Sequence, residues 1–133
     1  HVEARARNLK CRKESKSSGH LLSIESDGPN FRTTQVQVDQ IIGKLQQAEL
    51  PVQLSFNPGT YVCNYLYYRF LGYLQEQRER TRMPYLFVHI PAFPVDARGT
   101  KANCQGMSFP KMIVLIQKLL IEYIATAYGS DAF

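Results

Sequence analysis

The stretch YLFVHI (85–90) constrains the fold more than any other part of this 133-residue chain. A nearly continuous apolar run between Pro84 and Pro91 fits a strand covered on both faces, as in a parallel sheet. Segments with helical spacing surround it and can supply that cover. Val38, Ile41, Ile42 and Leu45 recur at i, i+3, i+4 and i+7, which predicts a helix capped by Thr33 or Thr34. Pro51 opens a short run, Val52–Phe56, suited to a buried strand. Asn57-Pro58-Gly59 then predicts a helix over roughly 58–80, with Asn57 as N-cap and Pro58 as its first residue. Its stripe is Val62, Leu66, Phe70 and Leu74, with Tyr67 and Leu71 beside it. Ser108 can cap a last helix with Met112, Leu115, Ile116, Leu119 and Tyr123 on its inner side. Towards the start, Val2–Leu9 reads as a short strand, 10–20 as a flexible polar connection, and Leu21–Glu25 as a weak strand before the Asp27-Gly28-Pro29-Asn30 turn. Helix, strand, helix, strand, helix is an α/β pattern, and residues 1–133 read as a single domain without internal repeats.

Composition narrows the function classes. Hydrophobic residues make up 44% of the chain and charged residues 20%, which excludes a disordered segment. No apolar run reaches the length of a bilayer span, and the first residues lack the order of a signal peptide. Cys11, Cys63 and Cys104 are odd in number and far apart, which argues against a disulfide framework and for a reducing, cytoplasmic setting. Neither they nor His1, His20 and His89 show metal-ligand spacing, so no metal or cofactor is expected. The net charge of +5 gathers in Arg5, Arg7, Lys10, Arg12, Lys13 and Lys16, with a second cluster at Arg78, Arg80 and Arg82. Without aromatic interleaving or a recognised motif, this pattern favours solvated surface over nucleic-acid binding.

In open α/β sheets, functional groups gather where strands end and helices begin. Phe56 ends one strand and leads to Cys63, while His89 lies at the end of the other. Two adjacent parallel strands would bring these ends to the same edge. A helix N-terminus offers partial positive charge and unpaired N–H groups, and both favour a thiolate at Cys63. A histidine in reach could take the thiol proton and return it to a leaving amine. Gly59 and the backbone N–H groups around Cys63 could receive an oxyanion. By residue type alone, a core cysteine and a structural histidine remain open readings.

The stretch GTYVCNYLYY (59–68) followed by LFVHIP (86–91) resembles the two hallmark blocks of the pyroglutamyl peptidase I family, the pyrrolidone carboxyl peptidases, which are cysteine peptidases. Ser55, Gly59, Tyr61, Cys63, Asn64 and Tyr68 fit the first block; Phe87, His89 and Pro91 fit the second. Pro58 stands where the family often has alanine. Upstream, Val2, Glu3 and Asn8 fit the block carrying the family's third catalytic residue, a glutamate, with Gly19 matching a later glycine. MSFPKM (107–112) and the closing helix look like the family's C-terminal region.

The resemblance implies a three-layer α/β/α sandwich and an omega-peptidase that removes N-terminal pyroglutamate from peptides. It implies Cys63 as nucleophile, His89 as acid and base, and Glu3 as the group orienting His89. Gly59, Thr60, Tyr61 and Val62 would line the oxyanion and ring contacts. Where the family has an arginine, Lys13 aligns and Arg12 is adjacent, so either can serve in its place. The family's initial G-F-x-P-F-like segment, whose phenylalanines line the ring pocket, has no match. The chain is therefore expected to be a C-terminal portion with part of the sheet absent. Its expected partners are pyroglutamyl peptides rather than nucleic acid or membrane, and a homo-oligomer stays open. Two other readings compete: an inactive fragment or non-catalytic homologue acting as a binding module, and a basic nucleic-acid binder.

Overall fold

The structure is a computed structural model that describes residues 1–12, 20–77, 83–91 and 107–129. In chain order the elements are β1 (Val2–Glu3), β2 (Arg5–Arg7), β3 (Lys10–Arg12), β4 (His20–Leu22), β5 (Phe31–Thr33), α1 (Val38–Gln47), β6 (Leu54–Ser55), α2 (Val62–Glu76), β7 (Phe87–Val88) and α3 (Phe109–Tyr128). The central sheet has the order β6-β1-β7. β1 pairs parallel with β6, Val2 opposite Leu54 and Glu3 opposite Ser55. It pairs antiparallel with β7, Val2 opposite Val88 and Glu3 opposite Phe87. Two separate antiparallel pairs accompany it: β2 with β5, and β3 with β4.

Strand alternation sorts side chains to two faces. Val2 is buried in a cluster with Ile41, Ile42 and Leu45 of α1 and Leu119 of α3, against which Leu54 and Val88 pack. Glu3 and Phe87 point to the other face. There α2 lies on Ala6 and Phe87 through buried Tyr67, Tyr68 and Leu71. Helices therefore cover both faces of the sheet, giving three layers.

Several expectations are corrected by tertiary contacts. The strands before Cys63 and around His89 are not parallel neighbours, and their ends do not meet at one sheet edge: β1 lies between β6 and β7, β7 runs antiparallel to it, and the end of β7 therefore lies level with the start of β6. Lys10–Arg12, expected within a flexible connection, forms β3 against His20–Leu22; residues 13–19 lie outside the described residues. Thr33 and Thr34 do not cap α1, whose N-cap is Gln37. Thr33 ends β5, and the Thr34 hydroxyl accepts from Val36 N–H and donates to the Tyr85 carbonyl. The second helix starts at Val62, not 58. Asn57 Oδ1 accepts the Gly59 N–H at 3.3 Å, and Gly59 has φ +84°, which the start of a helix cannot use. Its buried side is Asn64, Tyr67, Tyr68, Leu71 and Leu74, while Val62 and Leu66 are exposed. In α3, Met112 and Leu119 are buried as the spacing predicts, and Tyr123 donates to the Pro84 carbonyl at 2.7 Å.

Candidate active site

Glu3 occupies the middle strand of the sheet under α2, and its residue exposure is 1%. A carboxylate there needs a partner, because burying an unpaired charge costs several kcal/mol. Its partner is His89, whose Nδ1 lies 2.9 Å from Glu3 Oε1. A carboxylate at Glu3 can only accept, and that arrangement places the proton on Nδ1 and leaves Nε2 free. Glu3 Oε2 is buried without a hydrogen-bond partner among the described residues, so the carboxylate's pairing falls on one ring.

His89 follows β7 and is held through its own backbone. Its N–H donates to the His1 carbonyl at 2.8 Å, and the His1 amine donates to the His89 carbonyl at 2.9 Å. The Phe87 ring stands edge-on to the imidazole with centroids 5.1 Å apart. The His89 side chain remains 36% exposed, so one side of the ring stays accessible.

Above this pair lies α2. Tyr67 packs on Phe87 at 5.4 Å between ring centroids and donates its hydroxyl to the Glu3 carbonyl at 2.9 Å. Burial pushes the Tyr67 hydroxyl's pKa well up, so it stays a neutral donor. Cys63 lies one turn before Tyr67 on the same side of the helix. His89 alternates onto the same face as Phe87, the face that α2 covers, so the helix carrying Cys63 and the imidazole lie on one side of the sheet. Cys63 is the second residue of α2, half-buried and outside any disulfide. The first intrahelical bond joins Tyr65 N–H to the Tyr61 carbonyl at 3.0 Å. The N–H groups of Val62, Cys63 and Asn64 thus have no intrahelical acceptor. Cys63 forms no hydrogen bond with His89 in this structure.

The remaining sequence-derived site residues are distributed around this turn. Gly59 and Thr60 form the approach to α2, and the Thr60 carbonyl accepts the Cys11 N–H at 2.8 Å. Tyr61 and Val62 are exposed at the helix start. Arg12 ends β3, and Lys13 lies outside the described residues. Two residues to which the sequence assigns no site role hold this region together: Tyr67, which donates to the Glu3 carbonyl, and Asn64, which pins the helix start. Asn64 falls within the first family block, but only as a match without a role, and Tyr67 only beside the apolar stripe of the helix. Among the described residues no group of three or more His, Cys, Asp or Glu could hold a metal ion.

The fold and this pair define a three-layer α/β protein with a buried carboxylate paired to a partly exposed histidine beneath a helix that carries a cysteine in its first turn. The pyroglutamyl peptidase family profile matches residues 5–126. The chain belongs to that family. It is 37% identical over 99 residues to the pyrrolidone-carboxylate peptidase of Bacillus cytotoxicus, an alignment covering 74% of this chain and 44% of that protein. The Vibrio campbellii protein of the same name is 38% identical over 97 residues, covering 72% and 44%. The chain thus spans less than half the length of these curated relatives. Among solved structures, pyroglutamyl peptidase I from Bacillus amyloliquefaciens superposes with TM-score 0.70 at 19% identity, covering 96% of this chain and 59% of that one. Pyrrolidone carboxyl peptidase from Fervidobacterium islandicum gives 0.66 at 25%, covering 90% and 59%.

Proposed function

We propose that this chain carries the catalytic residues of a cysteine omega-peptidase that hydrolyses N-terminal pyroglutamate from peptides. Cys63 Sγ attacks the carbonyl that joins the lactam residue to the peptide, as its proton passes to His89 Nε2. The C–N bond breaks, His89 returns the proton to the leaving amine, and the pyroglutamyl group stays on sulfur as a thioester. Water, deprotonated by the same nitrogen, then releases pyroglutamate and restores the thiol. Glu3 holds Nδ1–H and stabilises the imidazolium that forms in each half-reaction. Backbone N–H groups around Cys63 receive the oxyanion, and Gly59, Thr60, Tyr61 and Val62 contact the ring. Arg12 or Lys13 supplies positive charge near the substrate carbonyl.

The observation that carries this reading is the 2.9 Å Glu3–His89 contact on the sheet face that α2 covers. A buried glutamate committed to one accessible imidazole has little structural return, because an apolar pair would fill the same space at lower desolvation cost. The test is turnover of a pyroglutamyl reporter by the protein and its Cys63→Ser variant. Turnover should fall to background with the circular dichroism spectrum unchanged. Retained turnover would remove Cys63 from the nucleophile role.

A further inference from the structure

We propose that Asn64 is a positioning residue, setting where the Cys63 thiol stands relative to the His89–Glu3 pair. Asn64 is fully buried in the first turn of α2. Its amide is satisfied by one stretch of backbone: Oδ1 accepts the Arg7 N–H at 2.8 Å, while Nδ2 donates to the Arg7 carbonyl at 2.9 Å and the Leu9 carbonyl at 2.7 Å. On the other side of Cys63, the Thr60 carbonyl accepts the Cys11 N–H at 2.8 Å. The turn carrying the thiol is therefore bracketed, before and after, by the segment 7–11. That segment continues directly from Glu3, the residue that fixes the imidazole. Nucleophile and base are thus referenced to one strand run rather than to each other.

The rest of α2 has its own anchors. Tyr67 donates to the Glu3 carbonyl, Tyr68 to the Pro29 carbonyl, and Leu71 is buried against the sheet. Loss of the Asn64 amide should free the first turn and leave the remaining helix docked. A displacement of the attacking atom by about 1 Å is enough to cost on the order of 10²-fold in rate. The role is geometric: the hydrogen bonds of the Asn64 amide all go to the backbone of Arg7 and Leu9.

This inference rests on the cysteine-peptidase reading, and the experiment separates the two. Asn64→Ala is compared with the wild type and with Leu71→Ala, which weakens α2 packing away from the first turn. Two quantities are read: kcat and KM for a pyroglutamyl reporter, and the rate of iodoacetamide alkylation at Cys63, resolved by peptide mass spectrometry across pH. The alkylation readout needs no turnover. Asn64→Ala should lower kcat about 10²-fold with KM changed less than about twofold. Its Cys63 alkylation profile should shift, while Leu71→Ala, at comparable loss of thermal stability, changes neither quantity. An Asn64→Ala protein with wild-type kcat and alkylation, or a Leu71→Ala protein that reproduces the losses, overturns the proposal. Should Asn64→Ala not fold, Asn64→Asp carries the same test, because it keeps the acceptor for Arg7 N–H and withdraws both donors. Failure of the peptidase reading itself appears elsewhere, as turnover that survives Cys63→Ser.

Discussion

Glu3 gives one carboxylate oxygen to His89 and leaves the other, buried, without a partner among the described residues, so its side-chain contribution there depends on a single contact. By residue type, a glutamate three positions into a chain reads as exposed charge; only the family block marked it. Its burial comes from β6 and β7 on either side and from Tyr67 above, none of them near it in sequence. Glu3→Gln preserves size and removes the charge that stabilises an imidazolium and fixes its tautomer. We expect kcat for a pyroglutamyl reporter to fall about 10²–10⁴-fold while KM changes little. Steady-state kinetics decides this, and an unchanged kcat would make Glu3 a structural partner only.

Elements whose apolar spacing is local were legible, as α1 and α3 show, whereas β5 was not. Its inward residue, Arg32, and the following Thr34 are polar, so the strand carries no hydrophobic alternation to read. Arg32 is buried because Glu25 pairs with its guanidinium at 2.8 and 3.1 Å and the Tyr68 ring stacks on it at 4.3 Å. Room for it comes from Gly72 in α2, where an added Cβ would lie 2.1 Å from an Arg32 terminal nitrogen. Inside a helix, glycine to alanine ordinarily gains about 1 kcal/mol. Here the sign should reverse. Gly72→Ala displaces the guanidinium from Glu25 and should destabilise the protein by about 1–3 kcal/mol, read as a lower denaturant midpoint. A stabilised variant would contradict the packing of α2 on Arg32.

Stability against pH belongs to the whole molecule, and Glu25 is its clearest lever. The Arg32 hydrogen bonds hold the Glu25 carboxyl below its ordinary value of 4.5; burial opposes this, and the charges of Arg32 and Arg69 add to the lowering. Arg69 is exposed and contributes little through its 2.8 Å contact. A carboxyl titrating lower in the folded state than in the unfolded one stabilises the fold above its unfolded value. That contribution is lost as pH falls through the lowered folded value. Acidification from pH 6 should therefore cost the wild type more Tm than Glu25→Gln, which has no carboxyl to protonate. Parallel acid limbs in the two thermal-melt series would remove Glu25 from this role.

The sequence by itself determined the α/β class, the positions of α1 and α3 and the residues of the two family blocks. Helical periodicity and short motifs are properties of neighbouring residues, and they survive without a tertiary context. What the sequence left open was decided by contacts between distant segments: β1 between β6 and β7, β7 antiparallel rather than parallel, and α2 beginning only at Val62. Backbone hydrogen bonds are chemically the same for every residue, so strand order is chosen by which apolar faces can be covered at once. That choice, made by α1 and α3 on one face and α2 on the other, is what buries Glu3 against His89 beneath the helix that carries Cys63.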